Sequence, residues 1–145
     1  MSKKSYSYLH ILTVAIPTIL VAYLAVPIGS AQESSEFRTP SGNIACAVYE
    51  KYLRCDLREN MAKTPPRPGD CEQDYGNYFG MSLKGKPTRL CVGDTVFGGE
   101  HQPVLAYGKT WKFQGFVCVS EMKGLTCRNP AKKGWFINKV EQKLF

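Results

Sequence analysis

The chain has 145 residues, 43% of them hydrophobic, with 19 Lys+Arg against 12 Asp+Glu and six cysteines. That length suits one folded domain rather than several, and the composition is that of a chain able to bury a core. The net charge of +7 is scattered, with Lys84/Lys86 and Lys132/Lys133 the closest basic pairs beyond the N-terminus. No basic stripe marks a specific nucleic-acid binder; a solvated surface is the better reading.

The chain opens MSKKSYSYLH, basic and free of acids, and continues into an apolar run over residues 11–26 broken only by Thr13, Pro17, Thr18 and Tyr23. Gly29 and Ala31 then supply small residues where a signal peptidase reads. A basic start, an apolar middle and a small-residue exit predict a helical signal peptide over residues 1–31, cleaved after Ala31. The alternative is an uncleaved N-terminal membrane anchor, for which the run is short against the roughly 20 residues of a spanning helix. Both readings export the rest of the chain, to the periplasm or outside the cell, and involve the membrane through this segment alone. Residues 32–145 lack Lys3 and Lys4 but keep all 12 acids, leaving 17 basic residues and a net charge of +5. Within them, 32–36 (QESSE) reads as a flexible leader and 37–145 as a single β-rich domain.

FRTPSGN (37–43) is a turn leading into a first hairpin, NIACAVYEKYLRCDL (43–57). A short helical turn is expected over residues 56–62, then an extended crossing through Pro65, Pro66 and Pro68. Residues 71–91 are rich in Gly, Asn and aromatics, with a strand near Met81–Ser82 before the turn at 85–87. Strand signals at 95–97 and 104–107 flank Gly98 and Gly99. A second hairpin, GFVCVSEMKGLTCRN (115–129), precedes a last strand at 135–138. Seven or eight short strands at close turn spacing predict an all-β fold, a small disulfide-stapled barrel or sandwich with two related hairpins.

An even cysteine count in a small exported chain reads as a disulfide framework, and six cysteines allow fifteen pairings. Spacing narrows them. Cys46 and Cys55 repeat at an offset of 72 as Cys118 and Cys127, with Lys51/Lys123 and Leu53/Leu125 matching between. With turns centred on Glu50/Lys51 and Met122/Lys123, each pair of cysteines lies directly opposed across a hairpin, close enough to bridge. That favours 46–55 and 118–127, leaving Cys71 with Cys91. Each ten-residue loop closed this way contributes about 2.5–3 kcal/mol in the chain-entropy model. Zinc knuckles and a C-x-x-C redox motif are absent, so neither metal nor cofactor is expected.

Little else looks chemical. His101 is the sole histidine of the exported part and sits in a turn-rich stretch without a nucleophile signature. Asp56, Asp70, Asp74, Asp94 and Glu100 are acids of the kind any small domain carries, and Asp94 in GDT suits bonding of turn amides. P-loop, dinucleotide-binding and calcium-loop motifs are absent. Most aromatics are expected in the core, and an exposed binding surface is sought first at Tyr75, Tyr78 and Phe79, read as part of the middle loop.

Taken in order, FRTPSGNIAC, LRCDL, CVGDTV, YGKTW, FVCVSEMKGLTCRN and GWF resemble a family of small secreted bacterial proteins of unknown function, with TPSGNIxC, GDT, YGxxW and CxSxxxGLTCxN motifs over residues 37–145. The resemblance implies export and a disulfide-bearing fold and supplies no activity. The chain departs from that pattern where Lys132 and Lys133 precede Gly134 in place of a glycine-flanked histidine, and where Tyr75 replaces a tryptophan. The leading functional reading is a non-enzymatic β-domain recognising an envelope or extracellular protein or polymer. The alternatives are a small hydrolase of cell-wall or extracellular polymer using two carboxylates, and a proteinaceous inhibitor that plugs a foreign hydrolase with a loop.

Overall fold

The computed structural model describes residues 34–99 and 101–145, so the expected signal peptide and its cleavage site lie outside the described residues. Among the described residues ten strands follow in chain order: β1 (Glu36–Arg38), β2 (Ile44–Tyr49), β3 (Tyr52–Leu57), β4 (Asp74–Ser82), β5 (Thr88–Val92), β6 (Thr110–Phe113), β7 (Phe116–Glu121), β8 (Gly124–Arg128), β9 (Gly134–Ile137) and β10 (Gln142–Leu144). They form two five-stranded antiparallel meanders, β1 to β5 and β6 to β10. The fold is therefore all-β, and of the two expected architectures it is the sandwich.

Both hairpins form in the expected register, with Cys46 opposite Cys55 and Cys118 opposite Cys127. Three disulfides join Cys46–Cys55, Cys71–Cys91 and Cys118–Cys127. The two hairpins turn differently. Glu50 (φ 45°) and Lys51 (φ 65°) both adopt the left-handed conformation of a tight primed turn, which glycine normally fills. In the second hairpin the positive φ falls on Gly124.

Each disulfide is the centre of a longer row. Strand pairing lines up Phe37, Cys46, Cys55 and Phe79 across β1 to β4, and Trp111, Cys118, Cys127 and Trp135 across β6 to β9. Successive residues on one strand face opposite sides, so each row lies on one face of its sheet. The two rows meet in the core: the Phe37 and Trp111 rings are 4.9 Å apart, those of Phe79 and Trp135 6.2 Å apart. Equivalent positions of two equivalent sheets thus pack against each other, and Leu53, Met81, Leu125 and Ile137 complete the same core. The Sγ atoms of Cys46, Cys55 and Cys127 lie within 4.8 Å of one another because two disulfides stack there; their sulfurs are already bonded and hold no metal-binding thiolate.

Several expectations change. Asp56 and Leu57 end β3 and do not start a helical turn, because the Asp56 side chain is bonded within the sheet to Arg54. Residues 95–97 and 104–107 form no ladder; a single bridge joins Val104 to Arg38. The described end of the leader is tied down, since Ser35 accepts from Val48 at 2.8 Å and Ser34 from the Trp111 indole at 2.9 Å. Tyr75, Tyr78 and Phe79 lie in β4, not in a loop.

Candidate recognition site

The expected aromatic surface divides along the strand period. Phe79 is fully buried against Trp135 and offers nothing to a ligand, which corrects its place in that surface. Tyr78 points to the other side of the sheet, half-buried, with the Arg54 guanidinium 5.5 Å from its ring centre. Tyr75 is half-buried opposite Cys91.

The acids separate as clearly. Asp56 is fully buried on the outer side of the first sheet. Its carboxylate accepts from Arg54 Nε (2.8 Å) and Nη2 (3.0 Å), the Thr95 hydroxyl (3.0 Å) and the Val96 amide (2.9 Å). Arg54 also donates to the Asp94 carboxylate (2.7 Å) and carbonyl (2.6 Å). Asp94 is thus held first by a guanidinium, with a backbone amide the smaller influence; the Arg54 hydrogen bond lowers its pKa most. Burial works against the Arg54 charge, but its two carboxylates outweigh it and the pKa is raised. The GDT stretch is in this way a strap lashed to β3, laying Val96 over Ala45 and Ala47. Asp70 and Asp74 are exposed, and His101 is an exposed turn residue.

A cleft of about 410 Å³ opens elsewhere, where the 39–43 turn of the first sheet meets the β7–β8 turn of the second. Its size falls within the range of roughly 300–1,000 Å³ typical of ligand pockets. One wall is TPSGN. Buried Thr39 uses its hydroxyl both to donate to the Ile44 carbonyl (3.3 Å) and to accept the Ile44 amide (3.2 Å). Gly42 supplies φ 69° at the tightest point, a conformation glycine adopts without strain. Asn43 then imitates a strand, accepting the Glu59 amide (2.7 Å) and donating to the Glu59 carbonyl (3.1 Å). On the far wall, Asn138 accepts the Val140 and Glu141 amides at 2.8 and 2.7 Å and donates to the Lys123 carbonyl at 2.8 Å. The two walls are joined by Lys139 and Glu59, 2.5 Å apart, and by the Met61 amide on the Lys139 carbonyl, 2.7 Å.

Both walls are therefore pinned, and what they present is mixed. Met122 is 87% exposed and Tyr107 42%. Between them lie Arg58, which stacks on Phe97 at 4.7 Å, and the Glu59–Lys139 pair. The Lys139 hydrogen bond holds the Glu59 carboxyl below its usual pKa. An apolar contact beside fixed charges on rigid turns is suited to binding. Sequence reading did not find it; the one signal available was the density of turn residues in TPSGN.

A family model matches residues 15–145, under the description "Family of unknown function (DUF6636)". The chain belongs to DUF6636. No curated protein and no solved structure is significantly similar to it. In this DUF6636 chain the stretches that stand out in the sequence have structural positions: TPSGN walls the cleft, GDT straps the first sheet, and the two cysteine hairpins centre the core rows. Three disulfides fit an oxidising compartment. Among the described residues no helix is long and apolar enough to cross a membrane.

Proposed function

We propose that this domain is an exported recognition module that acts without catalysis and holds an envelope or extracellular partner at the cleft between the 39–43 turn and the β7–β8 turn. The observation that carries the reading is Met122, 87% exposed beside Arg58 and the Glu59–Lys139 pair on a pinned frame. Exposed apolar side chains next to oriented charges are what a binding rim needs, and the anchored turns reduce the ordering that binding would require. The carboxylate-hydrolase alternative draws on acids across a groove, whereas Asp56 and Asp94 share Arg54. Met122, at the tip of a hairpin turn, also suits the inhibitor alternative, in which the partner is a foreign hydrolase and this turn enters its groove.

The test is retention of the purified domain on its own cell envelope, with oxidative footprinting of Met122 and Tyr107 in the bound state. Protection of both, and loss of retention in a Met122→Ser/Arg58→Glu double variant with intact disulfides, is expected. Unchanged retention in that variant, or cleavage of an envelope polymer by the wild-type protein, overturns the reading.

A further inference from the structure

The outer faces of the two sheets are equivalent in position and opposite in treatment. Strand register places Ala45, Ala47, Arg54 and Asp56 on the outer side of the first sheet, and Val117, Val119, Thr126 and Arg128 at the same places on the second. On the first sheet the strap covers this patch, and β2 is buried at five consecutive positions. On the second, β7 alternates between buried and half-buried.

Yet residues 116–119 of β7, FVCV, do not read as a strand with one wet face. Phe116 and Cys118 fill the core, and Val117 and Val119 on the other side are apolar too, with Glu121 ending that outer row paired to Lys123 at 3.3 Å. A strand apolar on both sides is normally covered on both sides, while a solvated face alternates to polar. Phe136 extends the patch, pairing with Thr126. Among the described residues no loop is hydrogen-bonded or ion-paired to the side chains of Lys112, Thr126 or Arg128, so no polar anchor like the strap's forms there among them.

Charge says what would cover it. Where the first sheet has Asp56 to receive Arg54, Thr95 and Val96, the second has Arg128, exposed and stacked 5.1 Å from the Phe145 ring centre. Lys112 lies in the same row, directly opposite Val117, which pairs in turn with Arg128. Neither cation has a carboxylate partner among the described residues. We propose that this face, centred on Val117, Val119, Thr126 and Phe136 and flanked by Lys112 and Arg128, docks an extended acidic segment of a second protein. The segment would lie across β7 and β8 as residues 94–97 lie across β2 and β3. Its carboxylates would meet Arg128 and Lys112, and its apolar side chains the two valines. The strap is the intramolecular pattern for such docking, with the anchoring charge reversed. The proposal goes beyond the cleft reading and concerns a different face.

The experiment places p-benzoylphenylalanine at position 126 of the full chain, with a control at 88 on the exposed edge of the first sheet, and irradiates the protein in its own cells. Adducts are then mapped to peptides. At 126 the expected adduct is a segment of another protein rich in Asp and Glu, absent from the control. Its yield should fall about tenfold or more in a Lys112→Glu/Arg128→Glu background, as loss of facing charges predicts, and stay unchanged with Met122→Ser/Arg58→Glu. Adducts confined to copies of this chain, to lipid or to polymer overturn the proposal. So do the absence of any adduct at 126 and a yield indifferent to charge reversal in a variant whose disulfides remain intact.

Discussion

The first and second sheets share an inner design and differ on the outside. Inside, an aromatic–cystine–aromatic row faces its equivalent, Phe37 on Trp111 and Phe79 on Trp135. Outside, the first sheet closes itself with the strap at Asp94, Thr95 and Val96, while the second leaves its valines half-buried. The contrast separates two jobs that one strand pair can do. The inward row fixes the fold and is duplicated; the outward row is free to diverge, into a self-sealed face in one half and an open one in the other.

The largest expected effect that would break this comparison is at the outer anchors. Asp56→Ala leaves the buried Val96 amide and the half-buried Arg54 guanidinium without their acceptor and should cost about 3 kcal/mol, read from urea unfolding. Arg128→Ala, at the equivalent place on the second sheet, should cost less than about 0.5 kcal/mol because it is exposed. Equal losses would mean that the second face is closed as well.

A smaller effect separates the two hairpin turns. Lys51 holds φ 65°, a conformation that costs a non-glycine residue about 1–2 kcal/mol. Lys51→Gly should therefore stabilise the domain by about 1 kcal/mol, visible as a raised thermal midpoint. Lys123→Gly should not, since Lys123 has no positive φ to relieve.

The smallest effect is the strap's dependence on pH. The folded pKa of Asp94 is lowered by Arg54, so its contribution is present above the unfolded pKa of about 4 and is lost as pH falls through the lowered folded value. Asp94→Asn should lower the urea midpoint at pH 7, and the gap from wild type should close below about pH 4. A gap that persists in acid would show that the strap is held by something other than this pair.

The hairpins and their bridges were legible because equal cysteine spacing around a two-residue turn is local information. The larger equivalence was not. The hairpins repeat at an offset of 72, but Phe37 and Trp111 stand 74 apart, because residues 39–43 connect β1 to β2 where 114–115 suffice between β6 and β7, and Phe79 and Trp135 only 56, because residues 58–73 connect β3 to β4 where 129–133 suffice between β8 and β9. Alternation hid Phe79: adjacent aromatics on a strand face opposite sides, so it went to the core and Tyr78 to the surface. The partner of Asp94 lies 40 residues away at Arg54, beyond any local motif. The cleft is built from turns of both sheets, and the turn residues of TPSGN mark one wall without saying which turn forms the other.

The matched interior is the central claim, and graded reduction tests it most directly. Cys46, Cys55, Cys118 and Cys127 are all fully buried, whereas Cys91 of the third disulfide is exposed. Peptide mapping after stepwise reduction and alkylation of the native protein should find Cys71–Cys91 opened first, with Cys46–Cys55 and Cys118–Cys127 protected together until the domain unfolds. A different pairing, or either hairpin disulfide opening before Cys71–Cys91, would contradict the account.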